Sequence, residues 1–189
     1  SDDAGDTWAT VGAAETGATT AELTCSEAGA PRCWSVQWQA NVPNLYRSDD
    51  AGASWTFVME AEDYWNKLGA SILDADTFLY GGMETHRTHD AGATFTRINR
   101  WDQYYDRPED RLHADIMGID VVPDGAGGET WYIGTDGGTY RSRDTLDTVE
   151  NLSLRGLRVS QYYTTLTSKN DVTDVAAGAQ DQGYQFSAG

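Results

Sequence analysis

An eight-residue pattern that returns along the chain limits its possible folds more than any other feature. Residues 1–8 read SDDAGDTW, residues 48–55 read SDDAGASW and residues 88–95 read THDAGATF. A fourth copy, residues 142–149 (SRDTLDTV), keeps the hydroxyl, the Asp and the Thr but has no Gly. The copies start 47, 40 and 54 residues apart. Repetition at such a period means that each unit is one supersecondary element stacked on the next. Forty to fifty residues is the length of four short strands with their turns. Within the motif, the Asp at the third position (Asp3, Asp50, Asp90, Asp144) can accept from backbone N–H groups further on. The Gly at the fifth (Gly5, Gly52, Gly92) supplies a positive φ. The aromatic at the eighth (Trp8, Trp55, Phe95) is expected to pack under the turn as the next strand begins.

Strand signals surround each copy. In the best-preserved unit, residues 115–123 (DIMGIDVVP), 130–135 (TWYIGT), 138–142 (GTYRS) and 149–154 form four runs, separated by DGAGG at 124–128 and DGG at 136–138. Apolar runs bounded by Asp and Gly clusters read as strands and turns. Similar series cover 21–58 and 70–98, and a last one, 161–186, stops before an Asp motif of its own. Helical periodicity is weak throughout. The reading is therefore all-β, with four-stranded antiparallel units.

The S/T-x-D-x-G-x-T/S-W/F pattern resembles the Asp-box, or BNR, repeat of sialidase-like and sortilin-like β-propellers, a group with many secreted bacterial members. Residues 113–183 are most similar to bacterial sortilin-like proteins, through GTDGGTYRS at 134–142, LRVSQYY at 157–163 and AQDQG at 179–183. The resemblance implies a single β-propeller segment over 1–189. Its blades would be 1–16 (the end of one), 17–60, 69–100, 113–155 and an incomplete 157–189. Propellers use about 4 to 8 blades, so three full repeats imply a partial ring. A longer chain or further copies of this one would complete it.

Charge narrows the partners. The 189 residues carry 30 acids against 13 bases, a formal net charge of −17. That balance repels a phosphate backbone, so nucleic acid is disfavoured as a partner. No run approaches the ~18 consecutive apolar residues of a membrane span, and no basic-then-apolar leader opens the sequence. The acids are mostly Asp and only Lys67 and Lys169 are lysines, a bias suggesting a surface kept soluble in salt, as in halophilic or marine secreted proteins, while the family resemblance implies a secreted or cell-surface protein. Cys25 and Cys33 flank a turn between two apolar runs. They either join across a hairpin, which implies an oxidising compartment, or remain thiols on neighbouring strands.

In propellers of the family that the chain resembles, the Asp box joins the third and fourth strands on one face, and the connections between blades lie on the other. That opposite rim is the expected ligand surface. It holds Tyr64 and Trp65 on one connection, and Trp101, Tyr104, Tyr105, Asp106, Arg107, His113 and Asp115 on the next. Aromatic faces beside carboxylates and guanidinium groups suit a glycan or a protein ligand; the competing reading has them packing between blades. Asp136 and Asp181 stand in equivalent turns, and TDGGTYR at 135–141 is similar to the segment carrying a catalytic Asp in xyloglucanase-type enzymes. A carboxylate pair is the minimum for glycoside hydrolysis, whereas Asp before Gly is also ordinary turn chemistry. A binding or scaffolding module is the first reading and a glycoside hydrolase the alternative. Sialidase activity is disfavoured, since Arg97-Ile98-Asn99 fails the Arg-Ile-Pro pattern. His113 and Asp115 are expected two apart on one side of a strand, with Met117 where sortilin-like relatives carry a further His, so no transition-metal site is expected. His86 and His89 are read as surface residues. No cofactor is implied, although calcium could sit on the Asp-rich loops.

Overall fold

The computed structural model describes residues 4–9, 18–29, 31–62, 65–157, 162–179, 181 and 183–187. Asp3 and Tyr64 lie outside them. Fifteen strands form four antiparallel sheets among these residues. The first sheet runs β1 (Thr20–Cys25), β2 (Cys33–Gln39), β3 (Val42–Ser48) and β4 (Thr56–Glu60), in that order across the sheet. The second follows with β5 (Lys67–Ala70), β6 (Phe78–Gly81), β7 (Thr85–Thr88) and β8 (Thr96–Arg97). The third holds β9 (Ile116–Pro123), β10 (Glu129–Thr135), β11 (Gly138–Ser142) and β12 (Glu150–Asn151). The last has three strands, β13 (Tyr162–Thr167), β14 (Val175–Ala179) and β15 (Gly183–Ser187). Each strand pairs with its chain neighbour, and β1, β5 and β9, the first strands of successive sheets, touch in turn. The chain is a partial β-propeller.

The core lies between the sheets. Trp34, Val36 and Leu45 from the first sheet meet Phe78 and Tyr80 from the second, all with 1% exposure or less. Leu79 joins Ile116, Trp131, Ile133 and Tyr140 in a second cluster, equally buried, between the second and third sheets. These aromatic and β-branched residues occupy alternate positions of central strands, as a pleated surface covered on both faces demands.

Three corners connect the third and fourth strands with one hydrogen-bond set. Ser48 Oγ accepts from Gly52 N at 2.7 Å, Asp50 Oδ1 accepts from Ser54 N at 2.8 Å, and the Ser54 hydroxyl donates to Asp50 Oδ2 at 2.6 Å. Thr88, Asp90 and Thr94 repeat this arrangement, as do Ser142, Asp144 and Thr148. Gly52 and Gly92 sit at φ +86° and +93°. The fourth copy keeps its corner without a glycine: Leu146 takes φ +67° while its side chain, 3% exposed, fills the second core cluster. Burying a leucine outweighs the ~1–2 kcal/mol of left-handed backbone strain. The expected packing of the eighth residue holds for Phe95, which meets Phe78 edge-on at 5.7 Å. It fails for Trp8, which donates Nε1–H to the Gly5 carbonyl but is 81% exposed.

A second recurrent turn, which carries no glycine, joins β5 to β6 and β13 to β14. Ser71 Oγ accepts from Asp74 N, and the Thr77 hydroxyl donates to Asp74. Ser168, Asp171 and Thr173 make a closely related set. Successive sheets are also latched at their corners. Arg47 and Arg87 occupy the position before the corner hydroxyl, and each donates to a carbonyl in the following corner, that of Ala91 and of Thr145 respectively. A disulfide ties Cys25 to Cys33, directly opposed residues of β1 and β2.

Candidate functional site on the rim opposite the corners

The turn after β10, the approach to β9 and the turn after β14 bring His113, Asp136 and Asp181 together. His113 Nδ1 lies 2.9 Å from Asp136 Oδ1, and Nε2 lies 3.9 Å from Asp181 Oδ1. The two carboxylates therefore address opposite nitrogens of one imidazole. The ring is almost wholly enclosed, with 4% of its side chain exposed, against 19% for Asp136 and 17% for Asp181. Its Nδ1 is 3.0 Å from the Ala114 carbonyl as well, so both neighbours of Nδ1 are acceptors and the proton belongs there. The Nδ1–H bond is directed at that carbonyl, which leaves Asp136 Oδ1 close to the ring but without a hydrogen bond of its own. Nε2 also has no partner among the described residues, and 3.9 Å is too long for direct hydrogen bonding to Asp181.

Surrounding groups hold the imidazole in place. The backbone N–H of His113 donates to the buried Tyr140 hydroxyl at 3.2 Å, and Tyr104 meets the ring edge-on at 4.6 Å. Gly137 lies so close that a Cβ there would come 2.3 Å from His113 Cγ. Any larger residue in the Asp-Gly turn would displace the histidine. Burial pushes the Asp136 carboxyl up to about 6, with the Asp181 charge adding to it and His113 opposing it. Asp115 raises it further, by its charge and by a side-chain hydrogen bond.

The expected placement of His113 and Asp115 on a strand needs correction. The strand begins at Ile116, and Asp115 has φ +60°, which ends the alternation before His113 is reached. The bend serves packing: Asp115 N and Ile116 N donate to the Met83 and Gly82 carbonyls of the second sheet. Among the described residues no group of three or more His, Cys, Asp or Glu side chains is arranged to hold a metal ion. The recess beside His113, lined by Met83, Glu84, Asn99 and Trp101, has no room for even a water-sized molecule.

The connection from β8 to β9 carries most of the rim aromatics. Its first turn is a 3-10 helix, Trp101–Tyr104, started by Glu84 accepting from Trp101 N and by Gln103 accepting from Arg100 N. Trp101, Tyr105 and Tyr104 contact one another edge-on and lead inward to His113. Trp101 and Tyr105 nevertheless remain 45% and 62% exposed, and Trp65 on the earlier connection 46%. Arg107 pairs with Asp110, as an ordinary surface ion pair would, and Asp106 is exposed.

His86 also departs from expectation. It is half-buried and stacked on Tyr80 with centroids 6.1 Å apart, because the two are opposed across β6 and β7. His89 is exposed and contacts the Thr77 hydroxyl through Nδ1. A pocket of about 320 Å³ opens nearby, lined by Met59, Glu60, Ala61, Glu62, Tyr80, His86 and Phe95. The sequence marked none of its carboxylates.

No protein-family model matches the sequence, and no curated protein does. Solved structures do. A GH74 xyloglucanase from Xanthomonas campestris superposes with a TM-score of 0.52 at 15% identity, over 88% of this chain and 28% of that one. YCF48 bound to a D1 peptide gives 0.46 at 16% identity, over 90% and 55%. YCF48 from Cyanidioschyzon merolae gives 0.46 at 14% identity, over 84% and 49%. The chain thus spans about half or less of the structures it matches. At this identity the xyloglucanase likeness concerns the fold alone.

Proposed function

We propose that this propeller segment is a binding or scaffolding module of the Asp-box type, secreted or at the cell surface, whose rim opposite the corners recognises a glycan or a protein. One observation carries the reading. Asp136 and Asp181 both close on one enclosed imidazole, while the exposed rings of Trp65, Trp101 and Tyr105 stand on the connections around them. Carboxylates gathered around an internal histidine organise the rim, and the rings offer the contact area. Binding of this kind requires no cofactor. The disulfide and the surplus of Asp support an extracellular setting. Further sheets, from a longer chain or from other copies, would cover the outer face of the last sheet, where Tyr184 and Phe186 are 92% and 71% exposed.

The glycoside hydrolase alternative has one specific support. A carboxyl held at about 6 keeps its proton into the mildly acidic range, as a general acid must. A glycan array and a polysaccharide-hydrolysis screen on the same protein separate the two readings. Binding that Trp101→Ala and Tyr105→Ala reduce, without release of reducing ends, is the expected outcome. Reducing-end release that disappears in Asp136→Asn would overturn the preference.

A further inference from the structure

The pocket between the first and second sheets has a chemistry of its own. It lies at the rim end of β4, β6 and β7, where Glu60 closes the first sheet and Glu62 opens the connection to the second. At about 320 Å³ it stands at the small end of ligand sites, room for one side chain rather than a sugar chain. Its apolar walls are Met59 and Phe95, suited to an alkyl stem, with Tyr80 and His86 stacked at its back.

The charges in and around it do not balance. Glu62 has its carboxylate on the Met83 N–H, and its backbone N–H donates to the Tyr80 hydroxyl, which in turn donates to Asn66. Glu84, behind His86, is neutralised by Arg97 at 2.9 Å. Neither Glu60 nor Glu62 has an ion-pair partner among the described residues, and Lys67 on the next strand is taken by Glu22. His86 Nδ1 is buried with no hydrogen-bond partner there. Burial, and the Arg97 charge opposite it, lower the pKa of His86 against the pull of Glu62 and Glu84, which disfavours a positive charge on the ring. Two carboxylates over apolar walls, on a chain of net charge −17, attract and select a cation.

We infer that this pocket takes the lysine or arginine side chain of a partner protein, its alkyl stem against Met59 and Phe95 and its charged head at Glu60 and Glu62. The inference rests on the binding-module reading and names the class of ligand for one part of that rim. It needs a partner that is locally basic, and a peptide segment supplies the alkyl-linked cation with no further chemistry.

The test uses the full chain and short acetylated, amidated peptides carrying one arginine, one lysine or one citrulline, with spermidine as a fourth probe. Binding is read by backbone NMR shifts and by titration calorimetry at 50 and 500 mM salt. The expected result is that arginine and lysine peptides shift Glu60, Glu62 and His86, that citrulline does not, and that Glu60→Gln weakens binding at least tenfold. Glu60→Lys, which places the chain's own cation at the mouth, is expected to abolish binding with the melting curve unchanged. Absence of any basic-peptide binding overturns the inference, as does binding unaffected by Glu60→Gln or shifts centred on Trp101. Spermidine binding as tightly as the peptides would replace the protein partner with a free polyamine. Failure here alongside glycan binding lost in Trp101→Ala would leave the module reading standing, whereas failure of both would remove it.

Discussion

A carboxyl group that holds its proton toward neutrality needs burial, a like charge or both, and Asp136 has both. Asp181→Asn removes the like charge and leaves the burial. The pKa of Asp136 is expected to fall from about 6 toward ordinary carboxylate values, followed by carboxyl-carbon NMR titration; an unmoved value would mean that Asp181 does not face it. At this scale the sequence named Asp136 and Asp181 as a carboxylate pair in equivalent turns, and His113 only as one residue of the rim connection, because turn chemistry and composition are visible in a string. That one imidazole joins the two acids was invisible, since 45 residues part Asp136 from Asp181 and only the stacking of sheets closes that gap. Glu60, Glu62 and His86 were missed as a set for the same reason. Each is unremarkable beside its neighbours in sequence, and a pocket forms only where two sheets meet.

Elements were legible wherever turn chemistry is local. The corners were readable from Ser, Asp and Gly because the side chains bond to backbone within four residues. The related Ser71 and Ser168 turns escaped notice because they have no glycine to mark them. The position of Cys25 opposite Cys33 followed from a hairpin, but only register decides between a pair of thiols and a bond. Closing a loop of this length removes about 2.5 kcal/mol of denatured-state freedom. Reduction, or the Cys25→Ala and Cys33→Ala double variant, is therefore expected to lower unfolding stability by about that amount in urea titrations with and without reductant. An unchanged midpoint would mean that β1 and β2 are held by packing alone.

For the whole molecule, acid is the informative stress. Hydrogen bonds to Ser54 and Ser48, and to Thr94 and Thr88, hold the corner carboxyls of Asp50 and Asp90 below the usual range, Asp90 at about 2. Asp124 and Asp171 are lowered by bonds within their own turns. A group with a depressed folded pKa contributes stability above its unfolded value near 3.8, and loses it as pH falls toward the folded one. Asp136 has the opposite sign: its contribution is complete below about 3.8 and lost as pH rises through about 6. The melting temperature is thus expected to drop from pH 4 to pH 2 as the corners protonate, and Asp136→Asn to flatten the profile between pH 4 and 6. The measurement belongs in 1 M salt, where screening over about 3 Å suppresses the repulsion of the net charge. A flat profile from pH 4 to 2 would show that the corner hydrogen bonds add nothing to the folded state.

By itself the amino-acid order determined the strands, the corners and the period at which they return, because these depend on alternation and on bonds within a few residues. Tertiary structure alone decided which sheets face which, and so created the shared imidazole and the pocket between Glu60 and His86. Those features need groups far apart in the chain to be desolvated together, and no local pattern records which distant neighbour will exclude the water.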